Sequence, residues 1–131
     1  MRYLLDTSTC VEILQGHLAP VHRLGAVGPD AVAISAMTVA ELRYGVMRGK
    51  SLPAAHQRLG EFLAVLEVLE FDGAAAEQHA RARHTLASLG TPIGERDLVI
   101  AATAIVHSLV VVTGNIGEYR RVLGLAVDNW A

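Results

Sequence analysis

The alternation of short apolar runs with longer helix-forming stretches constrains the fold of this chain more than any other feature. The apolar runs predict strands at residues 3–5, 31–35, 65–71 and 109–113, with a last edge strand at 125–130. The stretches between them predict helices at residues 38–47, 53–64, 74–89 and 98–107. Strands that alternate with helices indicate an α/β fold, in which a mostly parallel sheet is covered by helices on both faces.

Length and composition indicate one domain with a large core. The chain has 131 residues, of which 52% are hydrophobic, and no repeat, linker or low-complexity tract divides it, so we expect residues 1–131 to form a single domain. The formal net charge of −2 excludes the broad basic face that marks proteins holding nucleic acid by bulk electrostatics. Cys10 is the only cysteine, which excludes an internal disulfide and indicates a reducing, cytosolic compartment.

An uncharged stretch at residues 98–117 invites a membrane interpretation that its pattern contradicts. His107 and Ser108 divide an Ala-rich segment from a β-branched run, which predicts helix, turn and buried strand. The apolar run before Asp6 is too short for a signal peptide. We therefore expect neither a membrane span nor a cleaved leader.

Three acidic residues stand where strands are predicted to end or helices to begin. Asp6 follows the first strand, Glu41 lies near the start of the helix after the second strand, and Asp97 opens the Ala-rich helix. The carboxyl ends of parallel strands share one edge of a sheet, so these carboxylates are expected to converge there. Their mutual repulsion favours a bound cation, and oxygen ligands without a His or Cys cluster are typical of Mg²⁺. Asn115, after the fourth strand, offers a neutral oxygen.

Each of these acids also has an ordinary structural explanation. Asp6 suits the cap of a helix that follows it, Asp97 suits the first turn of a helix, and Thr38 with Glu41 fits a capping box. Capping and turn formation suffice for the other loop acids, Asp30 and Asp72. Four arginines are candidates for contacts with phosphate: Arg43, Arg48, Arg120 and Arg121. Arginines that are simply exposed to solvent would look the same in the sequence.

The sequence excludes several other kinds of site. Residues 45–51 resemble a phosphate loop, but the glycine spacing is one residue short and a helix precedes it. Lys50 is the only lysine, so phosphatases and receiver domains that place a lysine beside their aspartates have no candidate after a late strand. Neither an HExxH helix nor a GxSxG elbow occurs.

Taken in order, several short segments make the chain resemble the PIN-domain ribonucleases, and most closely the VapC toxins of bacterial toxin–antitoxin modules. The segments are YLLDT at 3–7, IS at 34–35, TVAEL at 38–42, GTPIG at 90–94, DLVIAA at 97–102, VTGN at 112–115 and EY at 118–119. The resemblance implies a PIN fold with strand order 3-2-1-4-5 and metal-dependent endonucleolytic cleavage of RNA, in which a metal-activated water attacks the phosphodiester.

The resemblance also assigns roles residue by residue. Asp6 and Asp97 match the metal-binding aspartates, Glu41 matches the third acid, and Asn115 stands where the family has Asp or Asn. Glu118 occupies a further position near the site that is often acidic. Ser8 stands where asparagine is commoner, so its part in orienting Asp6 differs from the family pattern.

Partners and cofactors follow from the same resemblance. It implies Mg²⁺, with Mn²⁺ as an alternative, an RNA substrate, a homodimer, and a cognate antitoxin bound through an apolar groove. Two other functions stay open. One is a catalytically silent PIN-like binding module whose acids only cap helices, and the other is a housekeeping RNA-processing nuclease without an antitoxin.

Overall fold

The computed structural model describes residues 1–131, which form five strands, seven helices and one 3₁₀ turn. The strands are β1 Tyr3–Leu5, β2 Val32–Ser35, β3 Glu67–Leu69, β4 Val110–Val112 and β5 Val127–Asp128. The helices are α1 Thr7–Leu14, α2 Leu18–Val27, α3 Ala36–Arg48, α4 Pro53–Ala64, α5 Gly73–Ser88, α6 Glu95–His107 and α7 Ile116–Tyr119, and the 3₁₀ turn is Pro29–Ala31.

The five strands form one sheet in the order β3-β2-β1-β4-β5, and every neighbouring pair is parallel. Leu5 at the end of β1 is in register with Ile34 of β2 and Val112 of β4. The residues that follow these three strands therefore emerge side by side at the carboxyl edge of the sheet. The predicted α/β class and strand order are confirmed.

The sheet separates two apolar clusters because successive strand side chains point to opposite faces. Leu4 and Val111 pack on one face against α5, α6 and α7, while Leu5, Ile34 and Val112 pack on the other against α1, α3 and α4. All five side chains have 0% relative exposure, so both faces of the central strands are covered. This two-sided burial is typical of parallel sheets and explains why the strands are continuously apolar.

Three helices were not among the predicted elements, namely α1, α2 and α7. Helix α1 is rich in Thr, Ser, Cys and Val, which are mediocre helix formers, and it is started by the Asp6 side chain, which accepts a hydrogen bond from the Thr9 N–H. Helix α7 has only four residues, too few for a periodic pattern. Strands β3 and β5 are shorter than predicted. None of the seven helices combines the length and the hydrophobicity that a membrane span requires.

Two predicted helix starts were wrong. Helix α3 begins at Ala36 with Ser35 as its cap, since the Ser35 hydroxyl accepts from the Thr38 N–H at 3.1 Å. Thr38 therefore lies inside the first turn, and the capping-box explanation of Glu41 is wrong. Helix α6 begins at Glu95, so Asp97 lies within its first turn and does not open it.

Candidate metal centre

Asp6 is the most constrained carboxylate of the chain. It follows β1 directly and is only 4% exposed. One carboxylate oxygen, Oδ1, accepts hydrogen bonds from the Thr9 N–H at 2.9 Å and the Ser8 hydroxyl at 2.8 Å, and the other, Oδ2, accepts from the Thr113 hydroxyl at 2.5 Å. Asp6 thus both caps α1 and is held in one orientation at the carboxyl edge. Ser8 supplies one of its donors.

Thr113 joins Asp6 to the residues after β4. Its side chain has 0% exposure, and its hydroxyl oxygen accepts from the Asn115 N–H at 2.8 Å while the hydroxyl donates to Asp6. The same edge is tied together by the Gly114 N–H, which reaches the Ser8 hydroxyl at 3.4 Å. The loop that carries Asn115 is therefore fixed relative to the Asp6 carboxylate.

Asp97 faces this loop from the first turn of α6. The Tyr119 hydroxyl donates to its Oδ1 atom at 3.1 Å. Burial raises the pKa of Asp97 to about 6 against the lowering effect of Tyr119, and the negative charges of Glu118 and Asp6 add to the increase. The pKa of the Tyr119 hydroxyl is itself raised by burial and then by the charges of Asp6, Asp97 and Glu118. The charges of three carboxylates, those of Asp6, Asp97 and Glu118, therefore all act on the Tyr119 hydroxyl.

Glu118 links the loop before α6 to the loop after β4. Its Oε1 atom accepts from the Gly94 N–H at 2.6 Å, and its Oε2 atom accepts from the Asn115 side-chain amide at 2.5 Å. These donors, the Gly94 N–H first, lower the pKa of Glu118 and keep it ionised. Asn115 donates through its amide nitrogen, so its side-chain oxygen is left for another partner.

Glu41 lies on α3, which follows β2, whereas Asn115 and Glu118 follow β4, on the opposite side of β1 in the sheet. The Thr7 hydroxyl donates to its Oε1 atom at 2.7 Å, and the Arg96 guanidinium is 3.5 Å from its Oε2 atom. Arg96 is largely exposed, with 69% of its side chain accessible, whereas Glu41 is 21% exposed. Glu41 is thus anchored by contacts from α1 and from α6.

These groups fit a hard divalent cation. No lysine or arginine forms an ion pair with Asp6 or Asp97, so their charges are not balanced within the protein. No three His, Cys, Asp or Glu side chains are arranged to enclose an ion by themselves. Mg²⁺ and similar ions are commonly held by one or two carboxylates, with waters and a substrate phosphate completing the shell. Asp6 and Asp97 provide such a partial set.

The structure gives roles at the site to residues for which the sequence analysis assigned none. Thr113 and Tyr119 act on the two aspartates through contacts 107 and 22 residues apart in the chain, for which no local pattern exists. Arg96, next to Asp97, is nearer to the site carboxylates than the four arginines considered as phosphate contacts. One of those four, Arg121, donates instead to the Pro92 carbonyl oxygen at 2.9 Å. A polar residue directly after a buried strand was the available signal for Thr113.

Fold and site together define a class of protein: an α/β domain with a parallel sheet and a cluster of carboxylates, of a kind that fits a divalent cation, at the carboxyl edge of its central strands. Ligand sites of open parallel sheets lie at this edge. The class is narrowed by comparison with known proteins.

A sequence profile described as "PIN domain" matches residues 3–122. Ribonuclease VapC2 of Rickettsia felis is 34% identical over 132 residues, covering 99% of this chain and 98% of that protein. The tRNA(fMet)-specific endonuclease VapC of Salmonella typhimurium is 32% identical over 130 residues, covering 99% and 98%. A chain in the crystal structure of DNA-bound VapBC from Salmonella typhimurium matches with a TM-score of 0.94 and 31% identity, covering 100% of this chain and 99% of that one. This chain belongs to the PIN domain family, which confirms the resemblance seen in its motifs.

Proposed function

We propose that this protein is the toxin of a toxin–antitoxin pair and that it acts as a metal-dependent endoribonuclease. One observation carries the proposal: Asp6 and Asp97 lie without cationic partners at the carboxyl edge of the sheet, in a chain that matches VapC ribonucleases from end to end. The proposed metal is Mg²⁺, held by Asp6 and Asp97, with Mn²⁺ as its substitute. A bound divalent cation supplies Lewis acidity, which polarises a phosphate and lowers the pKa of a coordinated water.

The side chains around the cation divide the remaining work. Asp6 is fixed by three donors, so it presents its free lone pairs in one direction. Glu41 is held by the Thr7 hydroxyl, and it would orient the attacking water or help to hold a second ion. Asn115, whose amide is committed to Glu118, offers its side-chain oxygen to water or cation. No side chain is required as a nucleophile, and burial raises the pKa of the Cys10 thiol well above its usual range.

The substrate class we propose is structured RNA, and transfer RNA in particular. One relative is named a tRNA(fMet)-specific endonuclease, and the net charge of −2 argues against indiscriminate binding of nucleic acid. Attraction of phosphate would be local, through the cation and through Arg96 beside it. Arg96 is mostly exposed and lines the groove beside Glu41, and it can leave Glu41 for a phosphate oxygen. Specificity would then depend on RNA shape.

An antitoxin segment is the partner we propose for a groove of about 870 Å³ next to the site. The groove lies between α1, α3 and α4. Its lining includes the apolar residues Val11, Leu42 and Leu59 together with Glu41 and Arg96. Two of the apolar residues that line the groove are exposed, Val11 by 38% and Tyr44 by 62%, and such a surface suits an amphipathic or extended segment of another chain. A segment lying in the groove would reach the carboxylates and block substrate.

The remaining features of the proposal are a homodimer and a cytosolic compartment. Light scattering on the antitoxin-free protein tests for the homodimer, because a dimer has about twice the 13.9 kDa mass of the chain. A single buried cysteine agrees with a reducing compartment.

The function is tested by incubating the purified, antitoxin-free protein with a mixed RNA pool that includes transfer RNA, with Mg²⁺ or with EDTA. We expect cuts that require the metal and that are lost in Asp97→Ala and Asp6→Ala. Asp30→Ala is the matched control, because Asp30 is an exposed acid in the turn before β2, at the opposite edge of the sheet. Cleavage that survives in both site variants would overturn the site assignment. No cleavage by folded protein under any condition would favour a silent binding module.

A further inference from the structure

Tyr119 combines a fully buried ring with a hydroxyl that has a single side-chain partner. It has 0% exposure and is the largest of the completely buried side chains. Its ring packs in the apolar cluster formed by Leu98, Val111, Val122 and their neighbours. Its hydroxyl donates to Asp97 Oδ1 at 3.1 Å across the space between α7 and α6.

The apolar cluster alone does not explain a hydroxyl at this position. A phenylalanine ring would fill the same space, whereas a buried hydroxyl must find a hydrogen-bond partner or incur a desolvation cost. The partner it finds is a carboxylate, and Tyr119 is the only residue that donates a hydrogen bond to the Asp97 side chain. Asp97 is therefore the only side chain to which this hydroxyl donates a hydrogen bond.

The contact also distinguishes the two oxygens of Asp97. Oδ1 is engaged by Tyr119, while Oδ2 lies on the side of Gly94 and of the Glu118 carboxylate: a Cβ on Gly94 would stand 3.7 Å from Oδ2 and 3.4 Å from Glu118 Oε1. Gly94 is exposed and precedes α6, so Oδ2 is on the open side of the carboxylate. Fixing Oδ1 through a buried donor leaves Oδ2, which accepts no hydrogen bond from the protein, available to a cation.

We infer that Tyr119 is a positioning residue for the metal centre, whose hydroxyl holds Asp97 so that its Oδ2 atom faces the divalent cation. The inference rests on the proposed function, because it requires Asp97 to be a metal ligand. Groups that orient metal ligands through hydrogen bonds typically change metal affinity by about 10- to 100-fold when they are removed.

The test is Mn²⁺ binding, measured by isothermal titration calorimetry on the antitoxin-free protein without RNA. Tyr119→Phe keeps the ring and removes only the donor, and we expect it to weaken Mn²⁺ binding by about 10- to 100-fold. Tyr3→Phe is the matched control, because Tyr3 is 5% exposed, packs against Trp130 and makes no side-chain contact with the carboxylates. Its Mn²⁺ affinity should stay within about twofold of the parent.

A second readout separates positioning from general damage to the fold. If Tyr119 acts through metal affinity, saturating Mn²⁺ restores most of the cleavage rate of Tyr119→Phe, whereas a disrupted fold is not rescued by metal. Far-UV circular dichroism in EDTA establishes that both variants are folded.

The outcomes distinguish this inference from the function on which it rests. Mn²⁺ binding by the parent that is lost in Asp97→Asn but unchanged in Tyr119→Phe would overturn the positioning role and leave the metal site standing. Absence of Mn²⁺ binding in the parent itself would overturn the proposed metal site, and the inference with it. Weakened binding in Tyr119→Phe, rescued at high Mn²⁺, supports both.

Discussion

Replacing Thr113 with valine is the perturbation that tests most directly how the site is held together. Valine has nearly the shape of threonine and equal β-branching, so the buried space after β4 stays filled. The change removes the hydroxyl that donates to Asp6 Oδ2 at 2.5 Å and accepts from the Asn115 N–H at 2.8 Å. Asp6 keeps its contacts with Thr9 and Ser8.

The expected loss of stability follows from these two bonds. A hydrogen bond to a charged group contributes about 1.5–3 kcal/mol, and the Asn115 N–H loses its acceptor at a cost of about 1 kcal/mol. Thr113→Val should therefore lower the free energy of unfolding by about 2.5–4 kcal/mol, a large part of the roughly 5–15 kcal/mol that stabilises a domain of this kind. With a urea m value of about 1.5–2 kcal/mol/M, the unfolding midpoint should fall by about 1–3 M.

The chain offers a matched control in Thr103→Val. Thr103 is as deeply buried, at 1% exposure, but its hydroxyl donates only to the Val99 carbonyl oxygen one turn earlier in α6. That carbonyl also belongs to the helical hydrogen-bond pattern, so we expect a loss below about 1 kcal/mol. Urea titrations in EDTA, followed by circular dichroism, compare the two variants. Equal midpoints for Thr113→Val and Thr103→Val would refute the claim that the Thr113 hydroxyl holds the Asp6 carboxylate.

Three further predictions concern charge and the groove. Asp97→Asn should raise the Tm of the metal-free protein at pH 8, because burial and the Glu118 charge raise the pKa of Asp97 to about 6 and disfavour its ionised form in the fold. The parent regains this stability as the pH falls through about 6, because Asp97 then becomes protonated. The difference in Tm between Asp97→Asn and the parent should therefore be smaller in EDTA scans at pH 5, and a difference that does not change with pH would contradict this prediction. Arg96→Gln should lower kcat/KM for RNA about tenfold with little change in Tm, whereas Arg43→Gln should change neither. Tyr44→Ser should weaken antitoxin binding about tenfold in calorimetry, and an equal effect of Leu123→Ser, 73% exposed outside the groove, would argue against the groove.

The sheet and the positions of the acids were predictable because they depend on local pattern and a topological rule. Short apolar runs separated by helices define a parallel sheet, and residues after parallel strands meet at one edge. Asp6 and Asn115 could be placed at that edge from this rule alone. The order 3-2-1-4-5 came from the family resemblance, since the pattern by itself does not specify which strands are neighbours.

The parts that were not predictable depend on contacts between distant segments. Helix α7 is one turn long, and it matters because it carries Glu118 and Tyr119 to the first turn of α6. Helix α1 has weak intrinsic propensity and is formed where Asp6 caps it and Cys10 packs on the core. Thr113 and Arg96 gain their roles only through partners on other elements, Asp6 and Glu41.

The two explanations considered for the aspartates, helix capping and metal binding, are compatible in this fold and partly depend on each other. Asp6 uses Oδ1 to accept the Thr9 N–H that starts α1, and this bond is one of those that fix the carboxylate at the sheet edge. Asp97 lies in the first turn of α6, where the helix dipole favours its negative charge, yet burial and neighbouring acids raise its pKa. A protein that needed only caps would have no reason to bring Asp6 and Glu118 close enough to Asp97 for their charges to disfavour its ionisation. The unfavourable electrostatics are therefore the feature that structural roles leave unexplained and that a cation would relieve.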